Sequence, residues 1–581
     1  MTVHEEELLR RIRELEEKNG YLNQQLKEHR YGLTWIDVPE AFDPESENKI
    51  PVLEEVKEKS FTDGSDNPTH ILIEGDNYHA LTSLQYTHKG KIDVIYIDPP
   101  YNTGNTDSDG FIYKDKRILT KYPDGTPVPK DHPLRHSYWL SFMQKRLELA
   151  KNLLSDDGVI FISIDDNEQA NLKLLCDKVF FENNFVTNVI WQKKFSPQND
   201  ATWFSDNHDF LLCYAAHKDI WRPNLMRRSA NTNARYKNPD NDPRGPWAST
   251  DLAVKTYSED YDYPITTPSG KIVMPSKGRC WMTSRERMAE LIADNRIWFG
   301  KSGSNMPRYK TFLSEVQQGI VPLTIWLHNE VGHNQAAKQE LKKILHDIHN
   351  PFNTPKPIQL IKRILEISSK KDSIILDFFA GSGTTLHATL KLNAEDGGRR
   401  QCIMVQQNEG EKHICEEVTY ERNRRVMQGY TNAQGEKVDG LGGSLKYYKT
   451  AFTGAGKPNR DPIMRPSDED RVSLAQNAGV LVSLAENTLY EIAKNDFFQI
   501  FTDNHGKFAA VYLQEDLSHF DTFKQEVEKL NGQVTVYIFS WGSTPDAESS
   551  FHHLPNVSVK ACPNAILESY KQAYQQLENN K

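Results

Sequence analysis

The chain has 581 residues, of which 26% are charged and 38% hydrophobic, and its formal net charge at pH 7 is −10. No apolar run reaches the roughly 18 residues of a membrane span, the N-terminus is charged where a secretory signal is apolar, and the six cysteines lie far apart without a C-x-x-C pair. These features exclude a membrane-spanning protein and a disulfide framework and predict a cytoplasmic protein of several domains, while the negative charge taken alone argues against a nucleic-acid partner.

The first thirty residues predict a helix with heptad spacing. This spacing is typical of a parallel coiled coil, in which one buried Asn fixes the register. We therefore predict that residues 1–32 form an N-terminal helix that joins two copies of the chain as a homodimer. The alternative is a helix packed on its own domain, which Gly20 and the short length favour. The residues that follow the heptad spacing are Leu8, Ile12, Leu15, Asn19, Leu22 and Leu26.

Runs typical of β-strands alternate with helical runs on both sides of a long irregular segment. Such alternation predicts parallel strands in a doubly wound α/β sheet. We therefore predict one Rossmann-like domain in two parts, residues 33–190 and 321–452, with an insert at 191–320 between them. The strand-like runs are 70–76, 91–100, 158–166, 373–379 and 400–407, and the helical runs are 137–154 and 358–367.

The last part of the chain predicts a small separate domain. The stretches 440–443 and 454–462 are rich in glycine or proline and have the composition of a linker. Beyond them, short alternating strands at 507–513 and 533–541 lie among helical runs. We predict a C-terminal α/β domain over residues 453–581.

The first motif that carries chemistry is DPPY at 98–101, directly after the predicted strand DVIYI. Ligands of doubly wound sheets bind beyond the carboxyl ends of the strands. The two prolines stiffen the turn and remove two amide donors, which leaves a carboxylate, backbone carbonyls and an aromatic ring. Asp98 and the Pro99 carbonyl can accept the two hydrogens of an exocyclic NH2 while Tyr101 stacks on the ring that bears it. The alternative is a rigid corner that ends the strand without binding anything.

The second motif, DFFAGSGTT at 377–385, lies between a predicted strand and the helix LHATLKL. Glycines at a strand-to-helix turn let a ligand approach the backbone, and the acidic residue that ends the strand can pair with an ammonium group. The glycines do not match GxGxxG and no Lys follows them, so a phosphate ligand is disfavoured. A near match to a P-loop at 295–302 lacks its first glycine, and we reject ATP binding there. The alternative is a tight turn without a ligand.

The two motifs together describe an enzyme. One strand end would hold a cofactor that carries both an ammonium group and a nucleoside, and the other would hold an aromatic amine. S-Adenosylmethionine fits the first description, and adenine or cytosine fits the second. None of the six cysteines lies in a motif that would supply a thiolate, and direct methyl transfer to an amine requires none.

These residues resemble a known family. DPPYNTG (98–104) with DFFAGSGTT (377–385) is similar to the amino-group DNA methyltransferases, and the order of the motifs resembles their permuted β class. Over roughly residues 30–450 the chain also resembles the modification (Mod) subunits of type III restriction–modification systems. The resemblance implies a sequence-specific DNA adenine-N6 methyltransferase. The runs that carry it are LIEGDN (72–77), HSYWLSFMQKRL (136–147), FISIDDNE (161–168) and NTPKP (353–357).

The resemblance also assigns roles to single residues. Asp98, Pro99, Pro100 and Tyr101 would form the catalytic motif. Asp76 would contact the adenine of the cofactor, the segment 377–385 would line its methionine part, and the NTPKP run would help to hold its carboxylate. The implied cofactor-binding residues are Asp76, Asn77, Thr354, Lys356, Pro357, Asp377, Phe378, Phe379, Ala380, Gly381, Ser382, Gly383, Thr384, Thr385, Gln406 and Glu409.

One position departs from the family pattern. Related enzymes usually end the strand after the glycine motif with an acidic residue that grips the ribose hydroxyls, whereas here CIMV is followed by Gln406. Either Gln406 or Glu409 would take that role. No metal ligand is implied, because methyl transfer needs none.

The resemblance implies direct transfer from S-adenosylmethionine to an adenine flipped out of double-stranded DNA. DPPY rather than SPPY is similar to the adenine-N6 branch. The alternatives are cytosine-N4 methylation and a DNA-specificity subunit that has lost catalysis. Since the chain carries no Walker motor and no recognisable nuclease motif, DNA cleavage would need a separate ATP-dependent restriction subunit.

The irregular insert has the composition of a domain that recognises a DNA sequence. Residues 192–318 contain 19 Lys and Arg against 14 Asp and Glu, a net charge of +5, so the rest of the chain carries −15. The basic residues are interleaved with amides and aromatics, and Arg and Asn suit bidentate contacts with guanine and adenine edges. We therefore predict a target-recognition domain at 191–320. An ordinary soluble insert is the alternative, because +5 is a modest charge.

Overall fold

The computed structural model describes most of the chain. The predicted N-terminal helix, residues 1–32, lies outside the described residues, so the homodimer contact stays a prediction. The described residues are 35, 46, 48–64, 67–103, 134–198, 201–228, 233–316, 319–408, 412–456, 461–542, 545 and 547–579.

The strands are numbered in chain order. They are β1 (Ile50–Glu55), β2 (Thr69–Glu74), β3 (Ile92–Ile97), β4 (Leu154–Ile164), β5 (Phe185–Gln192), β6 (His208–Ala215), β7 (Trp247–Asp251), β8 (Ala253–Val254), β9 (Ile265–Thr266), β10 (Ile272–Val273), β11 (Cys280–Trp281), β12 (Ile297–Trp298), β13 (Arg308–Phe312), β14 (Ile325–Trp326), β15 (Ile374–Asp377), β16 (Gln401–Gln406), β17 (Tyr430–Thr431), β18 (Lys437–Val438), β19 (Ser444–Thr453), β20 (Tyr490–Lys494), β21 (Phe498–Thr502), β22 (Lys507–Tyr512), β23 (Gln533–Phe539) and β24 (Val557–Cys562).

The α-helices are numbered in the same way. They are α1 (Asn77–Thr87), α2 (Leu134–Leu153), α3 (Gln169–Cys176), α4 (Arg285–Ala293), α5 (His328–Val331), α6 (Asn334–Ile344), α7 (Ile358–Ser368), α8 (Thr384–Asp396), α9 (Glu421–Gln428), α10 (Asp468–Gln476), α11 (Gly479–Glu486), α12 (Phe520–Glu528) and α13 (Asn564–Asn579). A π-helical segment, Ile414–Tyr420, leads directly into α9.

Ten strands form one large sheet in the order β1-β19-β2-β16-β15-β3-β4-β6-β5-β14. The strands from β19 to β4 are all parallel, and β6 runs antiparallel to both of its neighbours. The central strands are buried along nearly their whole length, as expected for parallel strands covered by helices. The predicted Rossmann-like α/β class is confirmed. Since β16 and β15 lie between β2 and β3, the order of the strands along the chain is permuted relative to their order in the sheet.

The protein divides into two compact units. The larger unit comprises residues 1–222 and 323–581, and the smaller comprises Pro223–Pro322. The predicted insert began at 191, but β5 ends at Gln192 and β6 (His208–Ala215) belongs to the large sheet. The insert therefore starts later than its composition indicated, because the polar residues between β5 and β6 form a loop of the larger unit.

The smaller unit has a core of its own. Its buried residues include Trp281, Met288 and Phe299, and β12, β13 and β7 form a three-stranded sheet within it. Lys310 is fully buried and its ammonium contacts the carboxylates of Asp240 and Asp242, which compensates the cost of burying a charge. Residues 223–322 contain 15 Lys and Arg against 10 Asp and Glu, so this unit holds the whole positive excess of the predicted insert.

The C-terminal residues form a second sheet with two apolar clusters, one made only of buried C-terminal residues between Phe498 and Phe551 and one shared with the large sheet. Strands β20–β24 make a five-stranded sheet in chain order. Helix α13 packs against α1 and α2, and the Tyr570 hydroxyl donates a hydrogen bond to the Pro51 carbonyl oxygen. Side chains from α10, α11 and α13 share one apolar cluster with strands of the large sheet. The predicted domain at 453–581 thus belongs to the larger unit, and 440–443 leads into β19 of the large sheet rather than out of the domain.

No helix among the described residues is long and apolar enough to cross a membrane.

Candidate active site

Four parallel strands bring the predicted site residues to one edge of the large sheet. In the order β2, β16, β15 and β3, their carboxyl ends lead into Asp76, Gln406, Asp377 and Asp98. Parallel strands that are neighbours in a sheet end at the same edge, which is where ligands of doubly wound folds bind. The structure therefore brings together both predicted motifs, 98–101 and 377–385, although their nearest ends are 276 positions apart in the sequence.

The DPPY turn presents a carboxylate acceptor and an aromatic ring. Oδ2 of Asp98 accepts a hydrogen bond of 2.5 Å from Nζ of Lys356. Oδ1 of Asp98 and the Tyr101 hydroxyl are buried, and neither completes a hydrogen bond with a described residue. Burial, followed by the nearby Asp98 carboxylate, raises the pKa of Tyr101 well above its ordinary value. The Pro100 carbonyl accepts a hydrogen bond of 2.7 Å from the Trp139 indole, which fixes the turn against α2.

A buried carboxylate holds the residue that follows the turn. Asn102 has a φ of 55°, a left-handed conformation that Asn tolerates better than most residues. Its side-chain amide donates to Glu168, which is fully buried. Glu168 also accepts from Nδ1 of His136 at 2.6 Å and from the Asn171 amide at 2.8 Å. These bonds make Glu168 a support for the DPPY turn.

Asp377 lies at the end of β15 and is almost completely buried. Its carboxylate accepts hydrogen bonds from the Thr385 hydroxyl and, at 3.1 Å, from the Phe379 amide. Burial raises the pKa of Asp377 to about 7, and the negative charge of Asp98 adds to the effect. Among the described residues no cation forms an ion pair with this carboxylate, so an ammonium group brought by a ligand would be its natural partner.

The glycine loop after β15 is tightly packed. Gly383 has a φ of 70°, and a Cβ added to it would lie 2.2 Å from Nδ2 of Asn423, so only glycine fits. Gln406 donates nothing to this loop; its Oε1 accepts a hydrogen bond of 2.7 Å from the Gly381 amide. Gln406 is therefore occupied in shaping the loop. Its rival for the ribose role, Glu409, lies outside the described residues.

Helix α9 supplies a residue that no motif in the sequence singles out. Arg422 is completely buried, and its guanidinium donates to the carbonyl oxygen of Ser382 at 3.1 Å and to the hydroxyl of Thr384 at 2.7 Å. Burial lowers the pKa of Arg422 to about 10. Thr419, in the π-helical segment, donates to the Gly381 carbonyl at 2.6 Å. The glycine loop is thus held from outside by residues about forty positions later.

The GDN turn after β2 reaches the same loop. Asp76 caps α1, because its Oδ1 accepts from the Tyr78 amide at 2.7 Å. The Asn77 amide donates to the Phe378 carbonyl at 2.9 Å. Arg146 contacts both Asp76 and Asn77, and its guanidinium lies 3.6 Å from the centre of the Phe142 ring. These contacts place Asn77 against the glycine loop, and Arg146 joins Asp76 to Asn77.

The NTPKP run lies between the two motifs. Thr354 is exposed and Pro357 is buried at the start of α7. The Lys356 carbonyl accepts a hydrogen bond of 3.3 Å from the Thr384 hydroxyl. Of the three residues, Lys356 differs most from its predicted role, because its ammonium contacts Asp98 of the DPPY turn.

Asp209 is a further carboxylate near the DPPY turn. It lies at the start of β6, next to His208. Asp209 is buried and forms an ion pair of 2.7 Å with Lys193. Burial raises the pKa of Asp209, Lys193 and Lys356 oppose this, and Asp98 reinforces it. Asp209 therefore contributes to the electrostatic field around the DPPY turn.

The described residues contain no group of three or more His, Cys, Asp and Glu side chains placed to hold a metal ion.

Comparison with known proteins identifies the family. The model of the DNA methylase family, N6_N4_Mtase, matches residues 92–417. This chain belongs to the DNA methylase family. The matched range contains the DPPY turn, the glycine loop and the smaller compact unit, so most of the candidate site lies within the DNA methylase region. Asp76, Asn77 and Arg422 lie outside it.

Two curated relatives illustrate the similarity. The StyLTI Mod subunit, a type III restriction–modification enzyme subunit of Salmonella typhimurium, is 38% identical over 356 residues, which cover 58% of this chain and 52% of the relative. The EcoPI Mod subunit of Escherichia phage P1 is 31% identical over 429 residues, which cover 66% of this chain and 65% of the relative. The chain thus spans about half to two thirds of the length of these DNA methylase relatives.

Among solved structures, the putative DNA modification methylase TTHA0409 of Thermus thermophilus, in complex with S-adenosyl-L-methionine, is similar at 13% identity, with a TM-score of 0.31. The match covers 65% of this chain and 99% of that one.

Proposed function

We propose that this DNA methylase transfers a methyl group from S-adenosylmethionine to N6 of an adenine flipped out of double-stranded DNA, as the modification subunit of a type III-like restriction–modification system. The proposal depends on the DPPY turn, which combines the aromatic ring of Tyr101 with a buried acceptor atom of Asp98 to which no described residue donates a hydrogen bond. Oδ1 of Asp98 is buried and accepts no hydrogen bond from the described residues. A buried acceptor without a partner is costly, and an exocyclic NH2 would satisfy it.

The residues around Asp377 fit S-adenosylmethionine. A buried carboxyl group that forms no ion pair with a described residue suits a ligand ammonium group, and the absence of a Cβ at Gly381 and Gly383 leaves the backbone of the loop accessible to a ligand. Asp76 and Asn77 border the same loop and can bind the nucleoside part. When bound, S-adenosylmethionine supplies an electrophilic methyl group on a sulfonium.

The chain's own part in the reaction is to bind and orient. The nitrogen of an adenine amine is conjugated with the ring and is a poor nucleophile. Asp98 and the Pro99 carbonyl, by accepting its two hydrogens, favour a tetrahedral nitrogen whose lone pair points towards the methyl group. Tyr101 offers a ring for the base to stack on, which offsets part of the few kcal/mol that base flipping costs. Positioning and preorganised charge therefore supply the catalysis.

The remaining parts of the proposal concern partners. The smaller unit, with its excess of Lys and Arg, would recognise the target sequence in DNA, and binding should weaken as salt is raised. The relatives are named as Mod subunits of type III restriction–modification enzymes, which supports a partnership with a separate restriction subunit. The heptad spacing at 1–32 supports a homodimer, and the double change Leu15→Asp and Leu22→Asp should convert it to a monomer in light scattering.

Modification-sensitive long-read sequencing tests the proposal directly. DNA from cells that express this chain alone should carry N6-methyladenine at one short recognition sequence. N4-methylcytosine in its place would favour the cytosine alternative. S-Adenosylmethionine binding by the purified chain, without methylation of any DNA, would favour the idle specificity subunit.

The pKa of Asp377 makes the affinity for S-adenosylmethionine depend on pH. Below pH 7 the carboxyl group carries a proton, which must leave before the group can pair with an ammonium. The affinity should therefore rise about five- to tenfold between pH 6 and 7.5 and level off above that range. Titration calorimetry at a series of pH values measures this. The Asp377→Asn variant should bind weakly with little pH dependence, and a flat profile for the unmodified chain would contradict the assignment.

A further inference from the structure

We infer that Lys356 is a positioning residue for the catalytic carboxylate Asp98, and not a ligand of the cofactor carboxylate as the family resemblance implies. The inference rests on the proposed function and deepens it. It names the group that decides which oxygen of Asp98 meets the target amine.

The position of Lys356 is fixed at both ends of the residue. Its carbonyl accepts a hydrogen bond from the Thr384 hydroxyl of the glycine loop. Its ammonium lies 2.5 Å from Oδ2 of Asp98 and 5.1 Å from the centre of the Tyr101 ring. The lysine side chain is only 9% exposed, and within the described part of the chain Asp98 is the carboxylate with which it forms an ion pair. The residue thus bridges the two motifs, with its charge on the catalytic side.

The surrounding charges explain why Asp98 needs this partner. Asp377 and Asp209 lie close enough for Asp98 to raise their pKa values, and Lys356 lowers both. Burial and then the negative charge of Asp98 raise the pKa values of Tyr96 and Tyr101. Three carboxylates this close together repel one another, and a cation beside them offsets the repulsion. Lys193 compensates Asp209, and Lys356 compensates Asp98.

The contact also selects an oxygen. Because the ammonium occupies Oδ2, the free acceptor is Oδ1, which is buried and lacks a hydrogen bond from the described residues. A carboxylate fixed in this way presents one acceptor in one direction, as preorganised catalysis requires. Without Lys356, the carboxylate would lose the contact that fixes its orientation, and the amine would meet a less well placed acceptor.

Two variants and one matched control test the inference in the full-length chain. Lys356→Met keeps the aliphatic stem and removes the charge, and Lys356→Arg keeps the charge. The control is Lys362→Met. Lys362 lies on α7, and its ammonium is 2.5 Å from Glu395 and forms its ion pairs outside both motifs. Two quantities are measured for each: the Kd of S-adenosylmethionine by calorimetry without DNA, and kcat with cofactor and DNA both saturating, on a duplex carrying the mapped recognition sequence.

The expected pattern separates positioning from cofactor binding. Lys356→Met should lower kcat about 100-fold and change the Kd less than threefold, Lys356→Arg should recover at least a tenth of the activity, and Lys362→Met should behave as the unmodified chain. A Kd raised tenfold or more, with kcat unchanged at saturation, would assign Lys356 to the cofactor and overturn the inference. So would unchanged values of both.

The experiment distinguishes a wrong function from a wrong role of Lys356. An unmodified chain that methylates no DNA contradicts the proposed function, whereas an active chain with either contrary pattern contradicts only the role of Lys356. Thermal melts establish that each variant is folded. If Lys356→Met unfolds, Lys356→Arg is judged by the same two quantities: a lower kcat with an unchanged Kd supports the inference, and a raised Kd with an unchanged kcat overturns it.

Discussion

Replacing Asp98 by Ala is expected to lower the rate of methyl transfer about 100- to 1,000-fold while the chain stays folded and binds S-adenosylmethionine at least as well as before. The change removes the acceptor that orients the amine. It also removes the negative charge that helps to raise the pKa of Asp377. The Asp377 carboxyl group, which would pair with the ammonium of the cofactor, therefore becomes easier to ionise. Single-turnover methylation and calorimetry measure the two effects.

A matched control separates this effect from general damage. Asp157 on β4 also forms an ion pair with a lysine, Lys370 at 2.6 Å, but both side chains are well exposed. Exposed pairs of this kind contribute about 1 kcal/mol or less to stability, so Asp157→Ala should leave the rate unchanged. Full methylation by Asp98→Ala would disprove the catalytic assignment.

Replacing Arg422 by Ala is expected to destabilise the chain by about 3 kcal/mol and to weaken S-adenosylmethionine binding at least tenfold. The guanidinium holds the Ser382 carbonyl and the Thr384 hydroxyl from a fully buried position. Without it, those groups lose their donor and the glycine loop loses its fixed shape. Urea unfolding and calorimetry provide the two measurements.

Arg424 on the same helix provides the comparison. Its guanidinium pairs with Glu421 at 2.9 Å, and about a third of its side chain is exposed. Arg424→Ala should change the free energy of unfolding by less than about 1 kcal/mol and leave cofactor binding unaltered. Equal effects of the two changes would show that helix α9, and not the buried contact, supports the loop.

The sequence predicted the centre of the fold better than its edges. Strands β2, β3 and β4 are apolar runs because helices cover both faces, and such runs can be recognised without knowing their partners. The edge strand β1 (Ile50–Glu55) and its neighbour β19 (Ser444–Thr453) are not among the predicted strands. These two pair with each other, Ile50 with Thr453 and Glu55 with Tyr448, so neither carries a local signal of its pairing.

The candidate site divides in a similar way. Asp98 and Asp377 could be predicted because each ends a recognisable strand and begins a motif. Arg422 could not, since its partners Ser382 and Thr384 lie about forty positions earlier in the chain. Asp209 could not, since its closeness to the DPPY turn depends on how β6 packs in the sheet. The contact of Lys356 was also beyond prediction. The NTPKP run indicates a site residue, but only the packing of the loop shows which of two neighbouring ligands its ammonium meets.

The permuted strand order has a consequence for synthesis of the protein. Strands β2 and β3 are separated in the sheet by β16 and β15, and the amide of Ile374 meets the Asp93 carboxylate across 281 residues of chain. At about 5–20 residues per second, translation leaves the inner edges of β2 and β3 unpaired for roughly 15 to 65 seconds. Unpaired strand edges are prone to non-native pairing, so the emerging polypeptide is exposed to such pairing until its second half is synthesised.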